Sequence, residues 1–200
     1  MLIDRRTLLG TTAITLALGP TAAWAKPKKT KRLVVGASVP GFKLRSPKKR
    51  YVYYLKDFAF PGKPRRRNQT KHPVLLDFFR TDCEPCLRSM PELVAMHKKY
   101  EAAGLKVVLV ALHEQVKGKA KLLSYLEQAN LPFLVVEDPT DYVAERYLGK
   151  TVSLPATFLI DENAKLLAAK YDAKTSMQEA FGPKIDALLA AKKPKEPTKP

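Results

Sequence analysis

A nearly continuous apolar run that leads into a helical pattern is the sequence feature that most constrains the fold. The run is Val74–Phe79, interrupted by Asp77, and apolar residues without alternation are typical of a strand buried on both faces. Residues 85–100 then place apolar side chains at helical spacing. Their common face carries Met90, Leu93, His97 and Tyr100. A buried strand followed by an amphipathic helix predicts an α/β protein whose helices cover a sheet.

The rest of the chain continues this alternation of strands and helices. The patterns predict strands at 105–112, 133–136, 156–160 and 166–169, and helices at 119–129, 142–148 and 175–189. We expect the last helix to be interrupted near Gly182 and Pro183, because proline cannot donate a backbone N–H. Residues 39–44 and 51–55 predict an N-terminal β-hairpin. Together these elements predict a mixed sheet flanked by helices, with the hairpin as an extension.

The first 25 residues have the pattern of a cleaved export signal. Arg5 and Arg6 precede a modest apolar stretch at 8–18, and Ala23-Trp24-Ala25 is a small-residue cleavage site. The stretch is shorter than the roughly 20 apolar residues of a membrane span, so an uncleaved anchor is the less favoured interpretation. The arginine pair resembles a twin-arginine signal, but the general secretory route stays an alternative. A periplasmic or other extracytoplasmic location is predicted.

Basic segments flank the predicted domain, which covers residues 37–190. A Lys-rich linker occupies 26–36 and a Lys/Pro tail occupies 191–200; both are expected to be disordered. The sequence has 36 Lys and Arg against 19 Asp and Glu, a formal net charge of +17. We interpret the basic stretches chiefly as solvated charge; anionic lipid, a cell-wall polymer and acidic substrates that they steer are the alternative partners. Nucleic acid is not predicted for an exported chain without a recognition motif, and a monomer is expected.

The two cysteines of the sequence lie in the segment Cys83-Glu84-Pro85-Cys86. Residues three apart on a first helical turn share a face, so the two sulfurs can close a disulfide. At a helix N-terminus, unpaired N–H groups and the helix dipole lower a thiol pKa from about 8.5 into roughly the 3.5–7.5 range. Cys83 is therefore predicted to be the attacking thiolate. Cys86, deeper in the helix, is the predicted resolving thiol.

Asp77 is the second candidate catalytic residue. Burying a charged carboxylate costs several kcal/mol, so its pKa should be raised and it should be largely protonated while the disulfide is closed. From the strand it could exchange a proton with Cys86 through a water. The alternative is a core acid whose oxygens are satisfied by backbone N–H groups.

Three separated motifs resemble those of thioredoxin-fold proteins, and in particular the TlpA/ResA-type exported thiol–disulfide oxidoreductases. The segment 76–86 is similar to the active-site strand and cysteine pair of that family. Residues 154–161, Leu-Pro-Ala-Thr-Phe-Leu-Ile-Asp, are similar to the cis-proline loop and the strand after it. Residues 39–44 resemble the opening hairpin of the TlpA/ResA branch. The resemblance implies a thioredoxin-like mixed sheet and dithiol chemistry that needs no cofactor and no metal.

The resemblance also implies roles for individual residues. By position, Cys83 attacks, Cys86 resolves and Asp77 accepts a proton. Pro155, cis in the family, would pack against the disulfide.

A substrate-binding surface is implied around the cysteines. The backbone of Leu154 would pair with an extended substrate segment, and Glu84 and Pro85 would flank it. The implied substrates are disulfide-containing envelope proteins, and the implied electron donor is a membrane thiol-reductant transporter. A role in cytochrome c biogenesis is one candidate process.

Some positions depart from the family pattern. Asp82 stands where tryptophan is usual, and a carboxylate there would oppose ionisation of Cys83 and favour a reductase. Ser89 replaces a glutamate of the ResA branch, and Asn163 is expected to take the left-handed turn position usually held by glycine. The lysine that commonly neighbours the buried acid cannot be placed from the sequence.

Other functions were weighed against dithiol catalysis. A zinc site would need a second pair of ligands, and a peroxidase motif would have threonine in place of Arg80. His113, at the end of a predicted strand, is a candidate neighbour of the cysteines. The main alternative is a non-catalytic polyanion-binding module with a structural disulfide.

Overall fold

The computed structural model describes residues 33–49, 51–64, 68–113 and 118–191. Seven strands lie in these ranges: β1 (Lys43–Arg45), β2 (Val52–Tyr54), β3 (Val74–Phe79), β4 (Lys106–Leu112), β5 (Leu134–Asp138), β6 (Ala156–Ile160) and β7 (Leu166–Lys170). Four α-helices accompany them: α1 (Glu84–Tyr100), α2 (Gly118–Ala129), α3 (Tyr142–Leu148) and α4 (Met177–Ala190). The predicted signal, most of the basic linker and the tail from residue 192 lie outside the described residues.

All seven strands form one mixed sheet in the order β2-β1-β5-β4-β3-β6-β7. The central strands β3, β4 and β5 are parallel to one another, and the outer pairs are antiparallel. We call the edge where β3, β4 and β5 end the carboxyl edge, and the edge where they begin the amino edge. The predicted α/β class, with a mixed sheet and an N-terminal hairpin, is confirmed.

The hairpin is shorter than predicted on its first arm. Only Lys43–Arg45 pairs with β2, whereas the N–H of Val39 donates to the carbonyl of Ala164 at 2.9 Å. Pro40 follows directly and has no N–H to continue a ladder. The first half of the predicted strand therefore lies against the β6–β7 turn.

Helix α4 corrects a second prediction. It runs unbroken from Met177 to Ala190, so the expected interruption near Gly182 and Pro183 is wrong. Pro183 faces solvent, whereas Phe181 and Ile185 on either side of it are fully buried. Packing of both halves against the core outweighs the one hydrogen bond that proline removes.

The turn between β6 and β7 also differs from its prediction. Ala164, not Asn163, takes the left-handed conformation, with φ of 60°. The Asp161 carboxylate accepts the N–H groups of Asn163 and Lys165, both at 2.8 Å. These side-chain bonds hold the turn and so position the left-handed residue one place later.

Strand β3 divides the core between the two faces of the sheet. Leu75 and Phe79 pack on the face covered by α1 and α4, and Leu76 and Phe78 pack on the face with α3. Because side chains alternate along a strand, Asp77 points to the side of α1 and α4. Among the described residues, no helix has the length and apolar character needed to cross a bilayer.

Candidate active site

The two cysteines form a disulfide at the carboxyl edge of the sheet. Their sulfurs are 2.04 Å apart and their Cα atoms 5.3 Å apart. Cys83 is the N-cap of α1, and its Sγ accepts the N–H of Cys86 at 3.3 Å. Cys86 is 1% exposed, whereas Cys83 is only partly buried. Cys83 is therefore the more accessible of the two cysteines, and the order in which the two thiols react stays a prediction.

Local hydrogen bonds explain why the chain turns into a helix at this point. The N–H of Cys83 donates to the carbonyl of Arg80 at 3.2 Å, which closes the turn after β3. Pro85 lies in the first turn of α1, where its missing N–H costs nothing. Ser89 is buried, and its hydroxyl donates to the carbonyl of Cys86 at 2.9 Å. A serine at this position supports the helix instead of placing an acid beside the thiols.

Asp77 is almost completely buried, with 2% exposure. Burial raises the pKa of its carboxyl from 3.8 to about 7, as the sequence predicts. Two groups act in the opposite direction and favour the carboxylate: the Thr157 hydroxyl, which donates to Oδ1 at 2.6 Å, and the ammonium of Lys170. The acid can thus gain or lose a proton near neutral pH.

The partners of Asp77 come from the two strands beside it. Thr157 on β6 lies directly opposite Asp77, and Lys170 on β7 lies directly opposite Thr157. On the other side, the residue of β4 opposite Asp77 is the apolar Leu109. Lys170 is 7% exposed, and its ammonium also donates to the backbone carbonyl of Asp172. Thr157 and Lys170 thus supply a hydroxyl and a lysine beside the buried acid, and the sequence alone did not locate either of them.

One residue of α4 covers the polar row. Met177 is 1% exposed, and its sulfur lies 3.9 Å from the Thr157 hydroxyl. The backbone N–H of Met177 donates to the Glu92 carboxylate of α1 at 2.6 Å. This bond joins α1 to the start of α4 above Asp77.

The predicted proline loop lies at the same edge as the cysteines. The Leu154–Pro155 peptide bond is cis, and Pro155 is buried. Ala156, which starts β6, is paired with Phe78 near the end of β3, so the loop emerges beside the turn that leads to Cys83. Leu154 is partly buried against the core, and its contact with a substrate stays a prediction.

Comparison with known proteins decides the family. Residues 35–169, which contain the disulfide, Asp77 and Pro155, match the AhpC/TSA family. The chain belongs to the AhpC/TSA family.

Two relatives of this AhpC/TSA-family chain are named thiol-disulfide oxidoreductase ResA. The protein of Geobacillus kaustophilus is 30% identical over 134 residues, which are 67% of each chain. The protein of Geobacillus thermodenitrificans is 31% identical over 135 residues, again 67% of each chain. A solved structure of a Chlorobium tepidum protein, named as a candidate thiol:disulfide interchange protein DsbE, is 30% identical. It superposes with a TM-score of 0.62 over 78% of this chain and 99% of its own.

The AhpC/TSA-family chain is therefore a thiol–disulfide oxidoreductase with a thioredoxin-like fold. The predicted resemblance to the ResA type is confirmed. The alternative of a non-catalytic module with a purely structural disulfide is set aside.

Two further polar side chains of this family member, Asp82 and His113, have partners that the sequence does not indicate. The Asp82 carboxylate pairs with Nε of Arg80 at 3.1 Å, so a positive charge accompanies it beside Cys83. His113 lies with its Nε2 3.2 Å from Glu137, whose other oxygen pairs with Lys119 at 3.3 Å. His113 thus contacts an acid of β5, and its predicted role as a neighbour of the cysteines stays a prediction.

The described part of this family member has no metal-binding cluster of three or more His, Cys, Asp or Glu residues. Two further features of the sequence, Glu114 next to His113 and the basic stretch Arg65 to Arg67, lie outside the described residues. The dithiol, Asp77 and the proline loop are the groups that the fold brings to one edge.

Proposed function

We propose that this oxidoreductase is exported and reduces disulfides of envelope proteins through a mixed-disulfide intermediate. One observation carries the proposal: a partly exposed cysteine at the first turn of α1 is bonded to a buried cysteine one turn further in. A helix N-terminus stabilises a thiolate, and a thiolate is the nucleophile in thiol–disulfide exchange.

The reaction starts from the reduced dithiol. The thiolate of Cys83 attacks one sulfur of the substrate disulfide, and the other substrate sulfur leaves as a thiolate that takes a proton from solvent. Cys83 and the attacked substrate sulfur are then joined in a mixed disulfide. Cys86 loses its proton and attacks the Sγ of Cys83, which releases the second substrate sulfur. The substrate gains two electrons and the enzyme ends with the disulfide seen in the structure.

Asp77 is proposed as the acceptor of the Cys86 proton. Its carboxyl faces the α1 side of the sheet, and its pKa of about 7 suits proton exchange near neutral pH. Thr157 and Lys170 are proposed as positioning residues, since they hold that pKa below the value that burial alone would give.

Substrate binding is proposed at the carboxyl edge around the disulfide. The backbone of Leu154, next to Pro155, offers a short extended edge for a substrate strand. Glu84 and Pro85 lie in the exposed first turn of α1 beside Cys83. Envelope proteins with strained or incorrect disulfides are the substrate class, and cytochrome c biogenesis is one process that handles such thiols.

The direction of electron flow is proposed from the acids of the site. Ionised Asp77 disfavours additional negative charge, which makes the dithiol form less stable and the protein a stronger reductant, whereas Arg80 offsets the charge of Asp82. A membrane thiol-reductant transporter would then return the disulfide to the dithiol. A reduction potential near about −270 mV fits this direction, whereas a value near about −120 mV, typical of a strong oxidant, would reverse it.

Export is proposed from the sequence of residues 1–25, with cleavage after Ala25. The location would be periplasmic or otherwise extracytoplasmic.

Replacement of each cysteine by serine tests the proposed function. Cys83→Ser should abolish insulin reduction with dithiothreitol as the donor, because no other thiol is accessible. Cys86→Ser should accumulate mixed disulfides, because the resolving thiol is missing. Non-reducing gels and mass spectrometry detect the trapped adducts.

Ser89→Ala is a matched control in the next turn of α1, and it should keep both steps. Adducts that form on the Cys83→Ser protein instead would overturn the order of the two thiols.

A further inference from the structure

Strands β1 and β5 are neighbours in the sheet but are joined at a single position. Within the described residues, Arg45 opposite Glu137 is the one register pair between them. The next position towards the amino edge would bring Pro47 opposite Val135. Proline has no N–H to donate to a ladder, so the pairing of the two strands stops there.

The backbone of β5 turns polar groups towards this missing part of the ladder. The N–H of Ser46 donates to the Tyr51 carbonyl at 3.0 Å, so Ser46 faces β2 and its neighbour Arg45 faces β5. Arg45 and Glu137 therefore pair through their backbone groups. Because these groups alternate along a strand, the N–H and C=O of Val135, two residues before Glu137, face the same side. Backbone groups on the open side of a strand can accept an added strand.

Strand β5 is also exposed as an edge strand would be, although β1 and β2 lie outside it in the sheet order. Leu134 and Val135 are partly exposed. The residues of β4 that pair with them, Val108 and Leu109, are 0% exposed. The side of β5 that faces the hairpin turn is therefore open to solvent.

A cavity, called here the β5 slot, occupies this open side. It has a volume of about 330 Å³, and its walls are the hairpin turn at 46–49, residues 133–135, Tyr53, Leu126 and Leu131. Tyr53 packs with the core on the α3 face of the sheet, and Leu126 packs with the core on the opposite face. Since its walls come from both faces, the β5 slot lies in the plane of the sheet, where a further strand would lie.

One lysine holds the hairpin turn at the wall of the β5 slot. The ammonium of Lys48 donates to the Leu126 carbonyl at 3.1 Å. This carbonyl belongs to the last turn of α2, where the carbonyls have no partner within the helix. The bond ties the turn to α2 and fixes a positive charge at the β5 slot. The next residue, Lys49, is exposed and also lines it.

The charge of the β5 slot selects an acidic occupant. Lys48 and Lys49 are its two charged lining residues. Acids on the helices packed here do not line it: Glu127 of α2 is exposed, and Glu101 at the end of α1 contacts His97 at 3.1 Å. Carboxylates on an occupant would therefore be attracted.

The same charge argues against occupants from this chain. A second copy paired through β5 would bring its own lysines against Lys48 and Lys49, and like charges across an interface are unfavourable. The Lys/Pro tail at 191–200 is basic as well. An acidic partner of another kind is the better match.

We propose that the β5 slot binds an extended, acidic segment of a partner protein as an added strand of the sheet. The backbone of the segment pairs with the N–H and C=O of Val135, its carboxylates contact Lys48 and Lys49, and its apolar side chains pack against Leu126 and Phe133. The β5 slot opens at the amino edge, so the segment binds away from the disulfide. The proposal goes beyond the proposed redox function and does not rest on it.

Hydrogen exchange of single amides, followed by NMR, tests whether the β5 slot is open. In the free protein the Val135 amide should exchange at least about tenfold faster than that of Val136, which faces β4. An equally slow Val135 amide would show that the slot is closed and would overturn the proposal.

A short peptide tests binding. The probe is acetylated and amidated, with three valines between two glutamates, and it is added to the oxidised full chain. We expect saturable binding that slows exchange of the Val135 amide about tenfold or more. The same peptide with its three valines N-methylated keeps every side chain, and it should bind at least about tenfold more weakly because it cannot pair.

A charge reversal tests the lysine contact. Lys49→Glu should weaken binding of the peptide about fivefold. The control, Lys184→Glu, makes the same charge change at an exposed position of α4 and should lose less than about twofold.

Four binding results would overturn the proposal. They are no saturable binding, equal binding of the N-methylated peptide, equal binding of a peptide with lysines in place of its glutamates, and an equal loss in the two variants. Protection of the Val135 amide that rises with protein concentration in the absence of peptide would identify a second copy as the occupant and would overturn it too. The binding assay uses no reductant, so its failure and a failure of the cysteine experiments are separable.

Discussion

At the scale of single residues, the site depends on how one buried acid is balanced. Asp77 lies in a strand whose side chains are all buried, and that burial raises its pKa to about 7. The Thr157 hydroxyl from β6 and the Lys170 ammonium from β7 lower that pKa and so favour the ionised form of Asp77. The acid is thus neither permanently neutral nor permanently charged, which a proton acceptor for a thiol requires.

Thr157→Val should raise the Asp77 pKa further. The substitution keeps the shape of the side chain and removes the hydroxyl that donates to Oδ1 at 2.6 Å. A hydrogen bond to a charged acceptor contributes about 1.5–3 kcal/mol, so we expect a shift of about one pH unit or more. Carbon-13 NMR titration of the Asp77 carboxyl in the oxidised protein measures it. Thr157→Ser keeps a donor and should titrate like the parent, and a downward shift in the valine variant would contradict the argument.

At the scale of secondary-structure elements, α1 and α4 are held by side chains rather than by ideal helical sequence. Both helices contain an internal proline, Pro91 in α1 and Pro183 in α4. The N-terminus of each is nonetheless capped: Cys83 accepts from the third residue of α1, and Ser176 accepts from Glu179 in α4. Packing of the buried helix faces and capping of the N-termini together outweigh the backbone hydrogen bonds that the two prolines remove.

Pro183→Ala should stabilise the protein. Proline is about 3 kcal/mol less favourable than alanine inside a helix, and its rigidity in the unfolded chain offsets up to about 1 kcal/mol of this. We expect the free energy of unfolding to rise by about 1–2 kcal/mol in urea denaturation. Lys184→Ala, at the next exposed position, should change it by less than about 0.5 kcal/mol. A loss of stability in the Pro183→Ala variant would contradict this expectation and show that the rigidity of proline outweighs its cost inside α4.

At the scale of the whole molecule, the redox site combines two loops that are far apart in the sequence. The cysteine pair follows β3 at the carboxyl edge, and the cis-proline loop that leads into β6 lies at the same edge. The antiparallel pairing of β6 with β3 produces this arrangement, because β6 starts opposite the end of β3.

The stability of the oxidised protein should fall between pH 5 and pH 8. Asp77 titrates at about 7 in the folded chain against 3.8 for an ordinary aspartate, so the folded state binds more protons in that window. Stability from the protonated acid is complete below the ordinary value and is lost as pH rises through about 7. We expect the parent to lose about 2–3 kcal/mol more than Asp77→Asn over this interval.

Urea denaturation at both pH values makes the comparison. Asp138, whose pKa is also raised by burial, is present in both proteins and cancels in the difference. Equal losses in the two proteins would show that Asp77 does not titrate in this range.

The amino-acid sequence alone determined the local features of the protein. The apolar run predicted β3 with its observed bounds, and the spacing of Met90, Leu93 and Tyr100 predicted the buried face of α1. The cysteine spacing predicted the disulfide, and residues 142–148 predicted α3. These features depend on the periodicity of apolar residues, on turn-forming residues and on the short spacing of the two cysteines, which are all properties of residues close together in the sequence.

Only the tertiary structure decided which distant residues meet. Thr157 and Lys170 reach Asp77 because β6 lies beside β3 and β7 beside β6, a strand order and register that no local pattern contains. The continuity of α4 was likewise decided by burial of Phe181 and Ile185 against the core. Contacts between strands distant in sequence depend on how the whole sheet assembles, and burial against that sheet can override a local preference for a break.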